Sequence, residues 1–330
     1  MSKFFWLLAA AAVAGGGWFA ARQFETQVER GEDGRIERIT LAPKGGAASS
    51  ILTGTAPHDA PRPAPVARPT IRIAGFHVDR LDEHKLARPV VGDLLVKLVP
   101  EFDLWAFQGI GGSAPGVLLR LLERINAENR RYDFAVCPST RETPAAPYLA
   151  FVFNRDTIEV DLDTVRTVED PTGQFRNKPL VGLFRVRGPK PNEAFTFKVV
   201  NVQVEPAYAD HELPRLAEVY RAVRDDGLGE DDILLVGNFA AVARKIDAVF
   251  EPLRLSACIA GPLATAEGLS TPNNLVISRT ATTEFTGRGG TFDLVRAYDL
   301  NPVTLQAVSA YLPVWSEFTS FEGGKPGFVP

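Results

Sequence analysis

The chain has 330 residues, with 36 Lys plus Arg against 40 Asp plus Glu and a formal net charge of −4. At 45% hydrophobic and 23% charged it has the composition of a globular protein, which excludes a wholly disordered chain, a collagen and a multi-span membrane protein. The mild acidity gives no global basic footprint for nucleic acid, and 2 Cys with 4 His exclude a disulfide-dense scaffold and a Cys-rich zinc module.

Lys3 is followed by an uncharged run from Phe4 to Ala21, closed by Arg22. As a helix at about 1.5 Å per residue this run spans about 27 Å, close to a bilayer core of roughly 30 Å. Residues 1–22 are therefore predicted to be a targeting segment rather than a buried helix of the globular domain, with two targeting readings open. Trp18 and Phe19 extend the apolar run to where an interfacial aromatic belt falls, which favours an uncleaved single-pass anchor. Ala12-Val13-Ala14 supplies the small-residue site of a cleaved signal peptide, which would release a secreted domain. In the anchored reading residues 4–21 lie in the membrane and the bulk of the chain is extracytoplasmic. Residues 23–40 form a short charged juxtamembrane segment, where Gly31-Glu32-Asp33-Gly34 is a plausible turn between two short strands. Residues 41–70 are rich in Ala, Gly and Pro, and Pro61, Pro63, Pro65 and Pro69 favour an extended linker.

From Ile71 the pattern becomes that of a folded domain, predicted over 71–320 with a tail at 321–330. Strands are expected over 71–76, 104–107, 132–136, 148–153, 180–186, 195–204, 233–236, 275–277 and 308–318. Helical spacing covers 86–99, with Pro89 in its first turn, then 117–125 and 211–223, where Leu213, Leu216, Ala217, Tyr220 and Val223 share a face. Strands outnumber helices and several are hairpin candidates, which argues for α/β layers with mixed sheets.

The order and spacing of these blocks, from Ile71 to about Phe318, resemble the endonuclease/exonuclease/phosphatase superfamily, the deoxyribonuclease I-like fold. The resemblance implies a four-layer sandwich of two mixed β-sheets flanked by helices. It also implies a site at the strand ends, on one edge of the sandwich, where a divalent metal, usually Mg²⁺, cleaves phosphodiester or phosphomonoester bonds. Such chemistry needs carboxylate oxygens for a hard cation, a general base for water and donors for the phosphoryl oxygens.

Each of these positions can be checked here, and each departs from the family pattern. The first strand's Asn becomes His77 after Phe76. The metal-binding Glu after Gln108 becomes Gly109. A further acidic position before a Tyr-containing strand becomes Ala146. The central His, two residues after Asn201, becomes Gln203. The Gly-Asp-Phe-Asn motif reads Gly237-Asn238-Phe239-Ala240, which loses the water-activating Asp at Asn238 and the phosphate-binding Asn at Ala240. The Asp of a late Asp-Asn pair becomes Asn273, and the terminal Ser-Asp-His reads Ser309-Ala310-Tyr311. The framework around them survives at Gln108, Gly237, Phe239, Ser309, Pro313 and Val314.

The losses agree in sense: carboxylates become Gly, Ala or amides, and histidine becomes Gln or Tyr. With neutral oxygens only, Mg²⁺ would keep its water shell. Single losses of such groups typically cost about 10²–10⁴-fold in rate. The resemblance therefore implies a pseudoenzyme with no metal or cofactor, whose polar cleft would be lined by His77, Gln108, Asn201, Gln203, Asn238, Asn273 and Tyr311. Such a cleft suits a small polar ligand, a protein partner, or none. The competing reading is an active Mg²⁺-dependent phosphoesterase with relocated ligands, for which Asp79, Glu205 and Asp247 are the candidates. His77 has no catalytic partner visible in sequence, His84 and His211 flank helix starts, and His58 lies in the linker. Thr286-Gly287-Arg288-Gly289-Gly290 lacks the Lys-Ser/Thr of a P-loop and reads as a framework loop. Cys137 and Cys258 lie in apolar runs and are expected as buried thiols rather than a bridge.

Overall fold

The structure, a computed structural model, describes residues 24–30, 36–43, 52–53, 68–112, 114–137, 147–260 and 272–326. It divides into two units, residues 1–50 and 51–330. In the first, strands β1 (Phe24–Arg30) and β2 (Ile36–Pro43) pair antiparallel, with Phe24 opposite Pro43. The expected targeting segment at 1–22 and most of the Pro-rich linker lie outside the described residues. Among the described residues no helix is long and apolar enough to cross a membrane.

The second unit is built on two mixed sheets. The seven-stranded sheet begins with β3 (Leu52–Thr53), β4 (Thr70–Leu81), β5 (Leu104–Ile110), β6 (Tyr132–Val136) and β7 (Tyr148–Asn154). It is completed by β14 (Phe285–Thr291) and β15 (Val314–Thr319), in the order β14-β15-β4-β5-β7-β6-β3. The six-stranded sheet has the order β12-β13-β11-β10-β9-β8. Its strands are β8 (Ile158–Thr167), β9 (Leu180–Val186), β10 (Thr196–Gln203), β11 (Ile233–Asn238), β12 (Leu255–Ala257) and β13 (Asn273–Ser278). One parallel pair sits in each sheet, β4 with β5 and β10 with β11. The other pairings are antiparallel, so adjacent strands mostly turn back on themselves.

Alternation along the central strands assigns their side chains to layers. Ile71, Ile73, Leu104, Ala106, Phe151 and Phe153 from one sheet meet Phe184, Phe197, Val199, Leu234, Val236, Leu275 and Ile277 from the other. The alternate residues Ala74, Phe76, Trp105, Phe107 and Val152 face helices α2 (Pro89–Leu98) and α3 (Ala114–Asn126). On the far side Val200, Val202, Leu235 and Val276 pack under α4 (Ala209–Arg224) and α5 (Ala243–Phe250). Because the central strands are covered on both faces, they read as continuous apolar runs, and β5 and β11 are buried along their whole length.

Local chemistry explains where the elements depart from expectation. The single helix expected over 86–99 is two. Asp82 caps α1 (Glu83–Leu86) by accepting from the Lys85 N–H at 2.7 Å, and Pro89 then opens α2. Arg88 between them is extended (φ −68°, ψ 120°), because a proline disfavours the α conformation of its predecessor. The strand expected over 308–318 begins only at Val314. Its first part is the end of α7 (Pro302–Val308), which Asn301 caps by accepting from the Thr304 N–H at 2.9 Å and which follows α6 (Leu294–Tyr298). The Gly-rich segment expected as a loop is edge strand β14, with a register shift between Phe285 and Gly289. Cys137 and Cys258 are both free thiols, the first buried and the second only partly so.

A candidate site at the strand ends

β4, β5, β10 and β11 carry most of the expected site residues to one end of the sandwich. The arrangement differs from an open cleft, because most of the polar groups are spent on joining the two sheets. Gln108 and Asn201 are both fully buried. The Gln108 Nε2 donates to Asn201 Oδ1 at 2.8 Å and to the Ala106 carbonyl at 2.7 Å. Asn201 reaches from β10 across the interface, and its Nδ2 donates to the Phe107 carbonyl at 3.0 Å and the Ala150 carbonyl at 3.1 Å. The β5–β7 register slips between Phe107 and Ile110, which frees those carbonyls from the ladder. Buried carbonyls need partners, and the Asn201 amide supplies them.

Asn238 and Asn273 are turned inward in the same way. The Asn238 Oδ1 accepts from the Ala240 N–H at 2.8 Å, which holds Ala240 at φ +49°. The Asn273 Nδ2 donates to the Leu312 carbonyl at 2.9 Å. Four of the seven residues expected to line a ligand cleft are therefore interior. His77, Gln203 and Tyr311 alone among those seven are partly exposed. Ala310 is exposed beside Tyr311, and Ala146 lies outside the described residues.

Two glycines set the geometry. Gly237 has φ +143°, and a Cβ there would stand 2.1 Å from the Val202 carbonyl oxygen and 2.9 Å from Gln108 Nε2. This close approach lets Gln108 lie over the end of β11. Gly109, where the resemblance expects the principal carboxylate, has φ +78°. A Cβ there would meet His77 Nε2 at 3.2 Å, the Asp79 nitrogen at 3.3 Å and the Arg80 nitrogen at 3.4 Å. Those nitrogens belong to an irregularity in which the β4–β5 register shifts between His77 and Leu81, with Asp79 and Arg80 both at positive φ. The backbone of β4 thus packs into the space that a side chain from position 109 would occupy. The Gly109 N–H donates to Gln203 Oε1 at 3.1 Å, and that bond holds the one partly exposed amide against β5.

His77 and Tyr311 meet edge to face, with ring centroids 4.9 Å apart. Ser309 fixes this contact: its hydroxyl donates to the His77 carbonyl at 2.7 Å and accepts from the Tyr311 N–H at 2.9 Å. The His77 Nδ1 is buried without a hydrogen-bond partner. Burial pushes its imidazole down to about 4, with Asp79 opposing and the Lys85 ammonium assisting, so the ring is neutral near pH 7. Burial, with smaller contributions from Asp79 and Glu205, raises the Tyr311 phenol.

The donor set does not suit a divalent metal. The positions that should carry ligands present Gly109, Asn238, Asn273 and Ala240. The Lys85 ammonium sits at the same corner, donating to the carbonyls of Val78 at 2.9 Å and Asp79 at 2.6 Å. Of the relocated candidates, Asp247 accepts from the Ala257 N–H at 2.8 Å, while Asp79 and Glu205 lie toward Tyr311. Among the described residues, groups of three convergent acidic, His or Cys donors occur elsewhere, around Asp232. One is the consecutive run Glu230-Asp231-Asp232; the other, Asp232 with Glu284 and Glu322, has no sequence signal, because its members come from three separate parts of the chain.

No family model matches the chain. Curated relatives do. Human deoxyribonuclease-1-like 2 is 27% identical over 190 residues, covering 52% of this chain and 62% of the relative, so the chain spans less than two thirds of its length. Deoxyribonuclease-1 of Equus caballus is 26% identical over 262 residues, covering 74% of this chain and 91% of the relative. In sequence the chain is similar to deoxyribonuclease I-like proteins, and in fold to the endonuclease/exonuclease/phosphatase superfamily. Solved structures of the superfamily share its fold. An endonuclease/exonuclease/phosphatase from Bacteroides vulgatus has a TM-score of 0.53 at 14% identity, over 77% of this chain and 100% of that one. The human Nocturnin catalytic domain, solved with a bound sulfate anion, has a TM-score of 0.51 at 13% identity, over 77% of this chain and 96% of that one. The mixed sheets and flanking helices expected from the sequence are thus the superfamily's own architecture.

Proposed function

We propose that this protein is a catalytically inactive member of the superfamily, retained as a binding or structural module and tethered to a membrane by residues 4–21. The observation that carries this reading is Gly109. Where catalysis needs a metal-holding carboxylate there is no side chain, the backbone is at φ +78°, and the β4 irregularity closes over the space. Without a cation to neutralise developing phosphoryl charge, and with the His77 imidazole lowered to about 4 and so only a weak base, water activation and charge stabilisation both lack an agent. The surface left for a ligand is the rim formed by His77, Gln203 and Tyr311. It suits a small polar molecule or a protein loop. The net charge of −4 gives no support to nucleic acid as the partner.

A second reading, a metal-dependent phosphodiesterase with relocated ligands, draws on the deoxyribonuclease relatives and on Asp79 and Glu205 beside Tyr311. Phosphodiester turnover by the purified chain with Mg²⁺ and Mn²⁺ separates the two. The inactive module gives no turnover above buffer; saturable, metal-dependent cleavage would establish the enzyme. Fractionation of expressing cells tests the tether. The protein pellets with membranes and resists high salt if residues 4–21 anchor it, and it is soluble and shortened if they are a cleaved signal.

A further inference from the structure

At the end of the sandwich opposite the candidate site, three carboxylates converge from different elements. β11 leaves Asp232 at this end and reaches the site end at Asn238. Asp232 stands just before β11, Glu284 just before β14 and Glu322 just after β15. One ligand-capable oxygen from each lies within 4.8 Å of the others. Asp232 is 2% exposed and Glu284 1%, while Glu322 is half-buried and opens the cluster to solvent.

Neither a buried cation nor backbone donors fully partner this group. Lys198 is the nearby buried cation, but its Nζ is committed to Asp226 Oδ1 at 2.7 Å and to the carbonyls of Val223 at 2.9 Å and Glu230 at 3.2 Å. Backbone donors satisfy only part of the cluster. The Gly323 N–H reaches Glu284 Oε1 at 2.6 Å, and the Thr196 N–H reaches Glu322 Oε2 at 3.3 Å. Asp232 Oδ1 and Glu284 Oε2 are buried with no hydrogen-bond partner. If both were ionised, two nearly inaccessible carboxylates converging with a third acid would repel strongly in a low-dielectric setting. Burial, then Glu284, Glu230 and Glu322, push the Asp232 carboxyl up to about 9, and Thr282 beside it opposes.

We infer that Asp232, Glu284 and Glu322 form a structural site for a hard divalent cation of the Ca²⁺ class, which joins the two sheets at this end. Ca²⁺ takes six to eight oxygens at about 2.3–2.6 Å in a flexible shell, so three oxygens within 4.8 Å of one another can share one ion. Mg²⁺ demands a near-ideal octahedron and sheds water reluctantly, so a buried site built from side chains of three separate elements favours the more flexible Ca²⁺ shell. The Thr282 hydroxyl, itself buried, adjoins Asp232 as a fourth oxygen, and water entering past Glu322 completes the shell. The site is independent of the proposed loss of catalysis, since no residue is shared with the strand-end cleft.

Calorimetric titration of the chelator-treated full chain with CaCl₂ at pH 7.5, with the unfolding temperature followed in parallel, tests the inference. We expect one saturable site, a higher unfolding temperature with Ca²⁺, binding at least tenfold weaker in Glu322→Gln, and loss of binding in Glu284→Gln. Gln203→Ala, altered only at the cleft, keeps the parent affinity. Folded parent protein that neither binds Ca²⁺ nor is stabilised by it would overturn the site and leave a cluster held neutral by protons. So would an affinity unchanged in Glu322→Gln, a half-buried position where the parent fold is easiest to retain.

Discussion

Replacing Gly109 by glutamate restores the side chain that the superfamily's chemistry asks for, yet this geometry argues that it should harm the protein. A non-glycine residue at φ +78° costs about 1–2 kcal/mol, because its Cβ crowds the following carbonyl. The Cβ would also press on His77 Nε2 and on the Asp79 and Arg80 nitrogens at 3.2, 3.3 and 3.4 Å, two of them backbone atoms that cannot rotate away. Losing glycine's freedom in the unfolded chain works the other way, by about 0.4–1 kcal/mol. The strain and the contacts together are the larger quantity, so Gly109→Ala should lower stability by about 1–2 kcal/mol. Gly109→Glu should lower it by at least as much. Urea unfolding at pH 7.5 measures both variants against the parent. Mg²⁺ should raise the midpoint of Gly109→Glu no more than that of Gly109→Ala. If the Gly109→Glu protein were as stable as the parent and were selectively stabilised by Mg²⁺, a competent metal cleft would still be present and the argument from backbone geometry would fail.

Three further perturbations probe the frame around the site. The His77 imidazole is depressed to about 4 by burial while an unfolded histidine titrates near 6.5, so the unfolded state takes up the extra proton between these values. The parent should therefore lose about 3 kcal/mol relative to His77→Gln as the pH falls from 6.5 to 4; urea midpoints that change in parallel would contradict this. Asn201→Leu removes the side-chain donor to the Phe107 and Ala150 carbonyls and one of the two acceptors of the Gln108 amide, with an expected cost of about 3 kcal/mol in urea unfolding. A loss below about 1 kcal/mol would mean water replaces the bridge. Lys198→Met removes the nearer cation from Asp226, whose side chain is 11% exposed and keeps Arg166 at 3.8 Å and the Leu228 N–H at 3.0 Å, and should cost about 1.5–3 kcal/mol. A neutral result would show that Asp226 reaches solvent instead.

Much of the frame is legible in the sequence because burial on two sides writes itself as apolar runs. β6 and β9 have the expected bounds, and the expected face of α4 packs on the outer sheet. The elements that escaped are those whose signal lies elsewhere. β8 reads Glu159-Val160-Asp161-Leu162-Asp163 and is an edge strand with exposed acids, so it lacks an apolar run. β14 is nearly all glycine and polar residues, and its pairing with β15 makes it a strand. α7 is announced by the Asn301-Pro302 cap rather than by hydrophobic spacing.

At the site, the substituted positions could be read directly, since each loss is a residue type. Their use could not. That Gln108 and Asn201 bridge the sheets depends on the slipped β5–β7 register, and that Gly109 sits at positive φ depends on the irregular end of β4. Both are tertiary facts. The acid cluster was hidden for the same reason, since Asp232, Glu284 and Glu322 converge only after both sheets have formed.

The most direct test of the account is a turnover assay on a chromogenic phosphodiester and on DNA, using the purified chain with Mg²⁺ or Mn²⁺ and the Glu284→Gln variant alongside. That variant separates any effect of a cation at the acid cluster from catalysis at the strand ends. The account predicts rates equal to protein-free buffer for both proteins at every metal concentration. Cleavage that saturates with substrate, depends on the metal and survives in Glu284→Gln would place a working active site at the strand ends and contradict it.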